Sequence, residues 1–345
     1  MTLHFFEPPP QQKIGGLDLA TKSLKGFLER SGIVVINDSP TETIGGSRGA
    51  EIVHFHGLWQ RKFPRISAHC RRQGVPYIVS PHGMLEPWAW QHKWWKKWVY
   101  FHLVEHKHLD KARRLLATSA IEARNLENFF PRSDPMILPL GLAESREPAY
   151  ATARQTLGWG ESEIILLYLS RIHPKKGLPI LLRALASLGP EPGLRSIRLV
   201  IVGGGSESYV RKLKAFVRNQ HQHLPRVDWI GEVWSEDKWA YLQGADLMCI
   251  PSYSENFGFV ILESLQVGTR VITTDQTPWD SIPSWNAGWI VRPRVDTLTT
   301  AIRQYLAHPE WSEDQRSRLA AETCERYSWE KIGPEYVCFY ESIVG

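Results

Sequence analysis

The sequence predicts an α/β protein made of two doubly wound parallel-sheet domains in tandem, and three observations carry that reading. Its 345 residues exceed one ordinary compact core, so length favours two domains. Short runs rich in Val, Ile and Leu alternate with segments of helical spacing, the pattern of parallel strands joined by crossover helices. The alternation fills the first half, stops in a polar stretch, and restarts. Residues 1–145 are the expected first domain, 146–160 a linker, 161–327 the second domain, and 328–345 a terminal helix that packs back toward the first.

The elements follow in order. "LHFFEP" is an apolar strand ending in prolines, and "KIGGLDLATKSLKGFLERSG" supplies a helix with Leu17, Leu24 and Leu28 on one face, closed by Gly32. Gly15 and Gly16 form the turn between them. "GIVVIND", "AEIVHFHG" and "VPYIVSPHG" are strands, each ending in a polar or glycine-containing turn. A long helix is expected from about Trp88 to Arg113, then strand "RRLLATS", helix "AIEARNLENFF" stopping before Pro131, and a last strand in "PMILPLGL". "ESREPAYATARQTLGWGES", with Pro148 and two glycines, is the expected linker.

The second half opens on "EIILLYLSR", a continuous apolar strand of the kind buried on both faces. Helix "GLPILLRALASLG", strand "IRLVIVGGG", helix "SYVRKLKAFVRNQ", strand "RVDWIGEV", helix "SEDKWAYLQGA" and strand "DLMCIPSY" come next, the last expected to end near Tyr253. A helix from near Gly258 to a stop at Gly268, strand "RVITTD", and three closing helices complete the chain.

Composition is that of a soluble globular protein, 43% hydrophobic and 22% charged. No apolar run approaches the ~18 to 20 residues needed to span a bilayer. The start lacks a basic region followed by a long apolar one, so a cytoplasmic location is expected, with contact to the inner face of the membrane left open. Four widely spaced cysteines without a CxxC pattern argue against structural zinc or a disulfide framework. The mild net charge of +5 suggests anionic partners. No nucleic-acid-binding module is present, so no nucleic-acid partner is expected.

Open parallel sheets bind ligands at the carboxyl ends of their strands, so function is expected on strand-end loops. "RIHPKKGL" places Arg171, Lys175 and Lys176 on a turn leading into a helix, a pattern that suits a phosphate group or is simply a solvated basic turn. "VIVGGGSES" has a triple glycine after a strand, but Ser208 stands where a dinucleotide fingerprint needs its third glycine. Close approach to a ligand or to another loop is the more modest reading. "SENFGFVILES" puts Glu255 on a strand-end loop beside Asn256, and Glu263 about two turns into the next helix. A buried carboxylate is costly unless a cation or hydrogen-bond donor meets it.

Taken together, "SENFGFVILESLQVGTRVITTD", "SRIHPKKGL", "VDWIGEV" and "YSWEKIGPEY" resemble the retaining glycosyltransferases of family four, which have the GT-B fold of two Rossmann-like domains facing a central cleft. The likeness covers nearly all of the second half and, more loosely, the first. It implies a hexosyltransferase-type enzyme moving a sugar from a nucleotide diphosphate sugar, UDP favoured over GDP, to a hydroxyl acceptor in bacterial polysaccharide or glycolipid synthesis. Arg171 and Lys176 would hold the diphosphate, Glu263 the ribose, and Glu255 the transferred sugar. The backbone of Asn256, Phe257, Gly258 and Phe259 would meet sugar and diphosphate, Gly231 and Val233 the base, and Gly15 and Gly16 the phosphate. His82, with His54, His56 and His92 as competitors, would stand near the reacting sugar, and Gly16, His82 and Trp88 on the acceptor side. The resemblance implies front-face attack in place of a carboxylate nucleophile. No DxD-like pair sits at a strand end, so neither a metal nor another cofactor is expected.

The run "WAWQHKWWKKWVYFHLVEHKHLDKARR" holds five of the fifteen tryptophans between Trp88 and Trp98. At helical spacing Trp90, Trp94 and Trp98 share a side, which favours packing onto the sheet or an acceptor pocket. Interfacial membrane contact is the second reading. Two other classes stay open: a catalytically silent sugar-nucleotide-binding or membrane-associated sensor of the same fold, and an NAD-dependent oxidoreductase, the latter disfavoured by its glycine fingerprint.

Overall fold

A computed structural model describes residues 1–9, 15–38, 50–91, 94–142, 146–188, 197–233 and 236–344. Two compact units result: residues 1–144 with 326–345, and 145–325. The first unit contains β1 (Thr2–Phe6), α1 (Gly15–Arg30), β2 (Val34–Asp38), β3 (Ile52–His56), α2 (Phe63–Gln73), β4 (Tyr77–Ser80), α3 (Pro87–Gln91) and α4 (Trp94–Tyr100). A π-helical turn (Phe101–Glu105), α5 (His106–Asp110), β5 (Arg114–Ala117), α6 (Ala120–Phe129) and β6 (Met136–Ile137) follow. The second unit runs α7 (Tyr150–Leu157), β7 (Ile164–Leu169), α8 (Leu178–Ala186), β8 (Ile197–Val202), α9 (Glu207–Asn219), β9 (Arg226–Gly231), α10 (Asp237–Gly244) and β10 (Leu247–Cys249). It closes with α11 (Phe259–Gln266), β11 (Arg270–Thr274), β12 (Gly288–Val291), α12 (Val295–Ala307) and α13 (Glu313–Tyr327), and the chain ends in α14 (Trp329–Val344).

Each unit holds a six-stranded sheet, in the orders β2-β1-β3-β4-β5-β6 and β12-β11-β10-β7-β8-β9. Every pairing is parallel. Alternate strand residues face opposite sides. In the first unit Leu3, Phe5, Ile52 and Ile78 therefore enter one core, and Phe6, Val53, Phe55, Tyr77 and Val79 enter the other. Both faces are covered, as an all-parallel sheet requires.

One face is covered in part by α14. Trp329 stacks on Phe27 with ring centroids 5.3 Å apart, and its indole N–H donates to Ser23 Oγ at 2.5 Å. The Tyr336 hydroxyl donates to the Leu138 carbonyl at 3.1 Å. Gly333 lies so close to the Phe27 ring that a Cβ would sit 2.1 Å from it.

Several expectations are corrected. The segment expected as a linker carries α7, and its Arg154 is buried in the second unit, pairing with Asp246 at 2.9 Å and donating to the Gly160, Glu163 and Gly244 carbonyls. A residue that looks solvated in sequence is thus an internal hub. Strand β10 stops at Cys249, short of Tyr253, and Gly15 and Gly16 open α1 instead of preceding it. The long helix from Trp88 to Arg113 is broken into α3, α4, the π-helical turn and α5, with His92 and Lys93 outside the described residues. Helical phase therefore does not carry from Trp90 to Trp94. Trp90 packs on Phe101 and Phe129, whereas Trp94, Trp95 and Trp98 are exposed, against the favoured packing reading. No helix among the described residues is long and apolar enough to cross a membrane.

Candidate functional site

In the second unit the exits of β7, β8, β9 and β10 share one end of the sheet because all its strands are parallel. After β7 the chain passes Arg171 and makes a 3-10 turn, Pro174–Lys176. Gly177 follows at φ +70°, where a Cβ would stand 1.9 Å from the Pro251 carbonyl oxygen. Only glycine allows that approach. The basic turn consequently lies on the β10 exit loop, and the Tyr253 N–H donates to the Lys175 carbonyl at 2.8 Å.

This contact brings Lys176 Nζ to 2.5 Å from Glu255 Oε1, an oxygen that also accepts from Ser252 Oγ at 2.7 Å. Glu255 is buried. Burial acts to raise its carboxyl, but the charge and hydrogen bond of Lys176, helped by Lys175 and Ser252, outweigh it and hold the group below the ordinary carboxylate range. Arg171 is exposed.

Glu263, also buried, lies on α11 and meets Lys238 Nζ of α10 at 2.6 Å. Lys238 was not legible as a site residue, since nothing in its spacing separates it from a solvated helix lysine. The usable signal was the need of a buried glutamate for a cation. Gly258 heads α11 at φ +81°. Phe257 is buried against Trp279, whose indole N–H donates to the Phe257 carbonyl at 2.6 Å, while Asn256 and Phe259 are half-buried.

The triple glycine serves loop packing. Added Cβ atoms at Gly203, Gly204 and Gly205 would meet the Ser170 carbonyl at 1.9 Å, Glu232 Oε1 at 2.1 Å and the Ile172 carbonyl at 2.2 Å. The Ile172 N–H donates to the Gly204 carbonyl at 2.6 Å. Gly231, exposed at φ +90°, accepts from the Gly203 N–H at 2.7 Å, and Val233 is half-buried.

In the first unit His82 follows β4 at φ +51°, a left-handed conformation that non-glycine residues rarely adopt and that gathers at functional sites. Its Nε2 lies 3.1 Å from His56 Nδ1. The His56 and His54 rings are 3.9 Å apart, and His54 bonds Ser80 Oγ at 2.7 Å and the Tyr340 hydroxyl of α14 at 2.8 Å. Two of the expected competitors of His82, His54 and His56, are thus its supports, and the third, His92, lies outside the described residues. Burial first, and His56 second, push His82 down to about 3, so the ring is neutral at neutral pH. Trp88 is half-buried on α3, and Gly16 is exposed.

Glu122 is a residue the sequence reading missed. Its Oε1 accepts from the Gly83 N–H at 2.6 Å, and its Oε2 from the Thr118 N–H and Oγ at 2.8 and 3.0 Å. Ser119 caps α6 by accepting from the Glu122 N–H. The Ser119 to Glu122 spacing matches a capping box, in which the glutamate would turn back on its own helix. Here Oε2 does turn back, to Thr118 just before the cap, while Oε1 crosses to the loop that carries His82.

Comparison with known proteins adds to this geometry. Residues 150–323 match the model "Glycosyl transferases group 1", and residues 26–141 match "Glycosyl transferase 4-like domain". The chain is 34% identical over 174 residues to a D-inositol 3-phosphate glycosyltransferase of Nocardia farcinica, which covers 48% of this chain and 38% of that protein. A second such relative, from Rhodococcus opacus, is 28% identical over 237 residues, covering 66% of this chain and 52% of its own length. The chain therefore spans about half or less of the curated relatives it matches. Among solved structures, sucrose-phosphate synthase from Thermosynechococcus elongatus superposes with a TM-score of 0.80 at 19% identity, covering 99% of this chain and 98% of that one. Anabaena HepE in complex with UDP gives 0.78 at 18% identity, covering 99% and 100%. These likenesses establish the GT-B fold.

Proposed function

The chain belongs to the glycosyl transferases group 1 family, and from that premise we propose that it moves a sugar from a nucleotide diphosphate sugar to a hydroxyl acceptor with retention of configuration. The observation that carries this reading is the Lys176–Glu255 pair, a buried carboxylate held ionised beside a basic turn on strand-end loops. A carboxylate accepts from two sugar hydroxyls at once. Arg171 and Lys176 supply positive charge to a diphosphate whose negative charge grows as it leaves, so the reaction is proposed to be metal-independent. Glu263, held by Lys238, is assigned to the ribose hydroxyls. UDP is the favoured base carrier, in keeping with HepE, which has been crystallised with UDP and with UDP-glucose.

In the proposed reaction the bond from the anomeric carbon to the phosphate oxygen breaks as the acceptor oxygen bonds the same face of that carbon. The acceptor proton passes to the departing phosphate oxygen. Glu255 orients the sugar and is not the nucleophile, and neutral His82 orients the reacting groups. A bacterial polysaccharide or glycolipid is the proposed acceptor class.

Incubation of the protein with UDP-glucose and other sugar nucleotides, with mixed glycan and glycolipid acceptors, tests the proposal. Release of nucleoside diphosphate, lowered by about a hundredfold or more in Glu255→Gln, is the expected result, because a sugar held out of its reacting geometry is transferred far more slowly. Saturable binding of UDP-glucose with no release under any condition would instead establish the silent sensor.

A further inference from the structure

The aromatic run between Trp94 and Leu103 has no role in the site described above, and its setting is unusual. None of the seven residues of α4 is buried. Five of the twelve exposed large apolar side chains among the described residues fall within these ten positions: Trp94, Trp95, Trp98, Val99 and Leu103. Trp94 is 62% exposed and Leu103 78%. A helix of this length is not stable through propensity alone, and burying an amphipathic face is what ordinarily holds one. The inner side of the segment is occupied by Trp90, Phe101 and Glu105. The outer side is apolar as well and, among the described residues, is not buried against another element.

Charge identifies the partner. Residues 88–114 carry seven Lys and Arg against two acids, a net +5 equal to the formal charge of the whole chain. Outside this segment 34 basic residues balance 34 acidic ones. Lys96, Lys107, Lys111 and Arg113 are exposed on the same stretch of chain, Lys96 lying over the Trp95 ring at 5.2 Å and Lys111 also pairing with Asp110 at 2.9 Å. The Trp98 ring lies 4.3 Å from His102, and His102 6.5 Å from His106, which leads to a pocket of about 460 Å³ lined by His106, Arg113, Arg114 and Arg132 against Asp110 and Asp134. Exposed indoles in a segment of concentrated positive charge match a bilayer interface, where rings sit at headgroup depth and ammonium groups meet anionic lipid.

We propose that α4 and the π-helical turn form a docking surface for an anionic phospholipid bilayer, with Trp94, Trp95, Trp98 and Leu103 entering the headgroup region and Lys96, Lys107, Lys111 and Arg113 binding lipid phosphates. The surface lies in the first unit and needs no sugar donor. Its test is therefore independent of the transferase reading.

The purified chain is floated with vesicles of equal parts phosphatidylcholine and phosphatidylglycerol, and with phosphatidylcholine alone. It is expected to float with the anionic vesicles and to dissociate in high salt. Trp94→Ser/Trp95→Ser/Trp98→Ser lowers the partition coefficient by about tenfold or more. Each of Lys96→Glu and Lys107→Glu lowers it by about fivefold. All these positions are exposed, and an unchanged thermal midpoint confirms that each variant is folded. Absence of binding to anionic vesicles overturns the proposal, as does equal binding to neutral ones. A concentration-dependent dimer abolished by the triple tryptophan variant, without vesicle binding, overturns it in favour of a second copy of the chain.

Discussion

Glu255 shows how a single carboxylate can be tied to two jobs. Its Lys176 partner keeps it charged within a buried loop. Breaking a buried pair leaves an uncompensated charge, so Lys176→Ala is expected to cost about 3 kcal/mol in urea unfolding of the second unit. Glu255→Gln, which removes the charge while keeping the shape, costs less. Donor affinity separates this structural effect from the binding role, because Lys176→Ala is also expected to weaken UDP binding at a temperature where the variant stays folded. The folded carboxyl lies below its unfolded value, so its contribution to stability is present above about pH 4.3 and lost as pH falls through the folded value. Unchanged affinity for UDP in folded Lys176→Ala removes the phosphate assignment.

Two elements the sequence placed only loosely decide how the first unit is built. Helix α14 was legible as a helix from its apolar spacing, but its partners were not, because Ser23, Phe27, His54 and Leu138 are 198 to 306 residues away in a chain read locally. Trp329→Ala is expected to cost about 3 to 5 kcal/mol, the range for losing a large buried aromatic side chain. Tyr340→Phe removes only a hydroxyl that bonds His54, at about 1 kcal/mol. Denaturant titration read by hydrogen exchange in β1 and β3 checks both, and equal costs for the two would contradict the packing role given to Trp329. The loop after β4 depends in the same way on α6. Glu122→Leu strips acceptors from the Gly83 and Thr118 N–H groups, so it is expected to destabilise the loop by about 2 kcal/mol and to loosen His82.

At the scale of the whole molecule the alternation of strands and helices made both sheets readable, because parallel strands buried on two faces are continuous apolar runs. Strand β12, with Gly288 and Trp289 in a short half-buried run, lacked that signal and was missed. The lysine partners of Glu255 and Glu263 and the histidine chain behind His82 arise from tertiary placement, which local pattern does not encode. Those buried groups also predict how the first unit responds to acid. His54 and His108 are buried and neutral and His82 is neutral with them; all three are lowered chiefly by burial, His82 and His108 to about 3. The unfolded chain takes up their protons below about pH 6.5 while the folded one does not, so stability is lost as pH falls. Glu105 and Glu122 are raised by burial to about 7, which works in the opposite sense: their contribution is present below about pH 4.3 and lost as pH rises toward 7. Between about pH 4.3 and 6.5 the two carboxyls offset two of the three histidines, which leaves a loss of about 1.4 kcal/mol per pH unit as pH falls. Below that window the carboxyls are protonated in both states and only the three histidines act, so the first unit loses about 4 kcal/mol per pH unit until the folded His82 and His108 take up protons near pH 3. Hydrogen exchange across the pH range follows each unit separately. The expected curve is shallow and then steep, and His108→Phe removes about a third of the acid slope. A slope that begins at pH 6.5 and stays constant would mean that Glu105 and Glu122 are ionised in the folded protein.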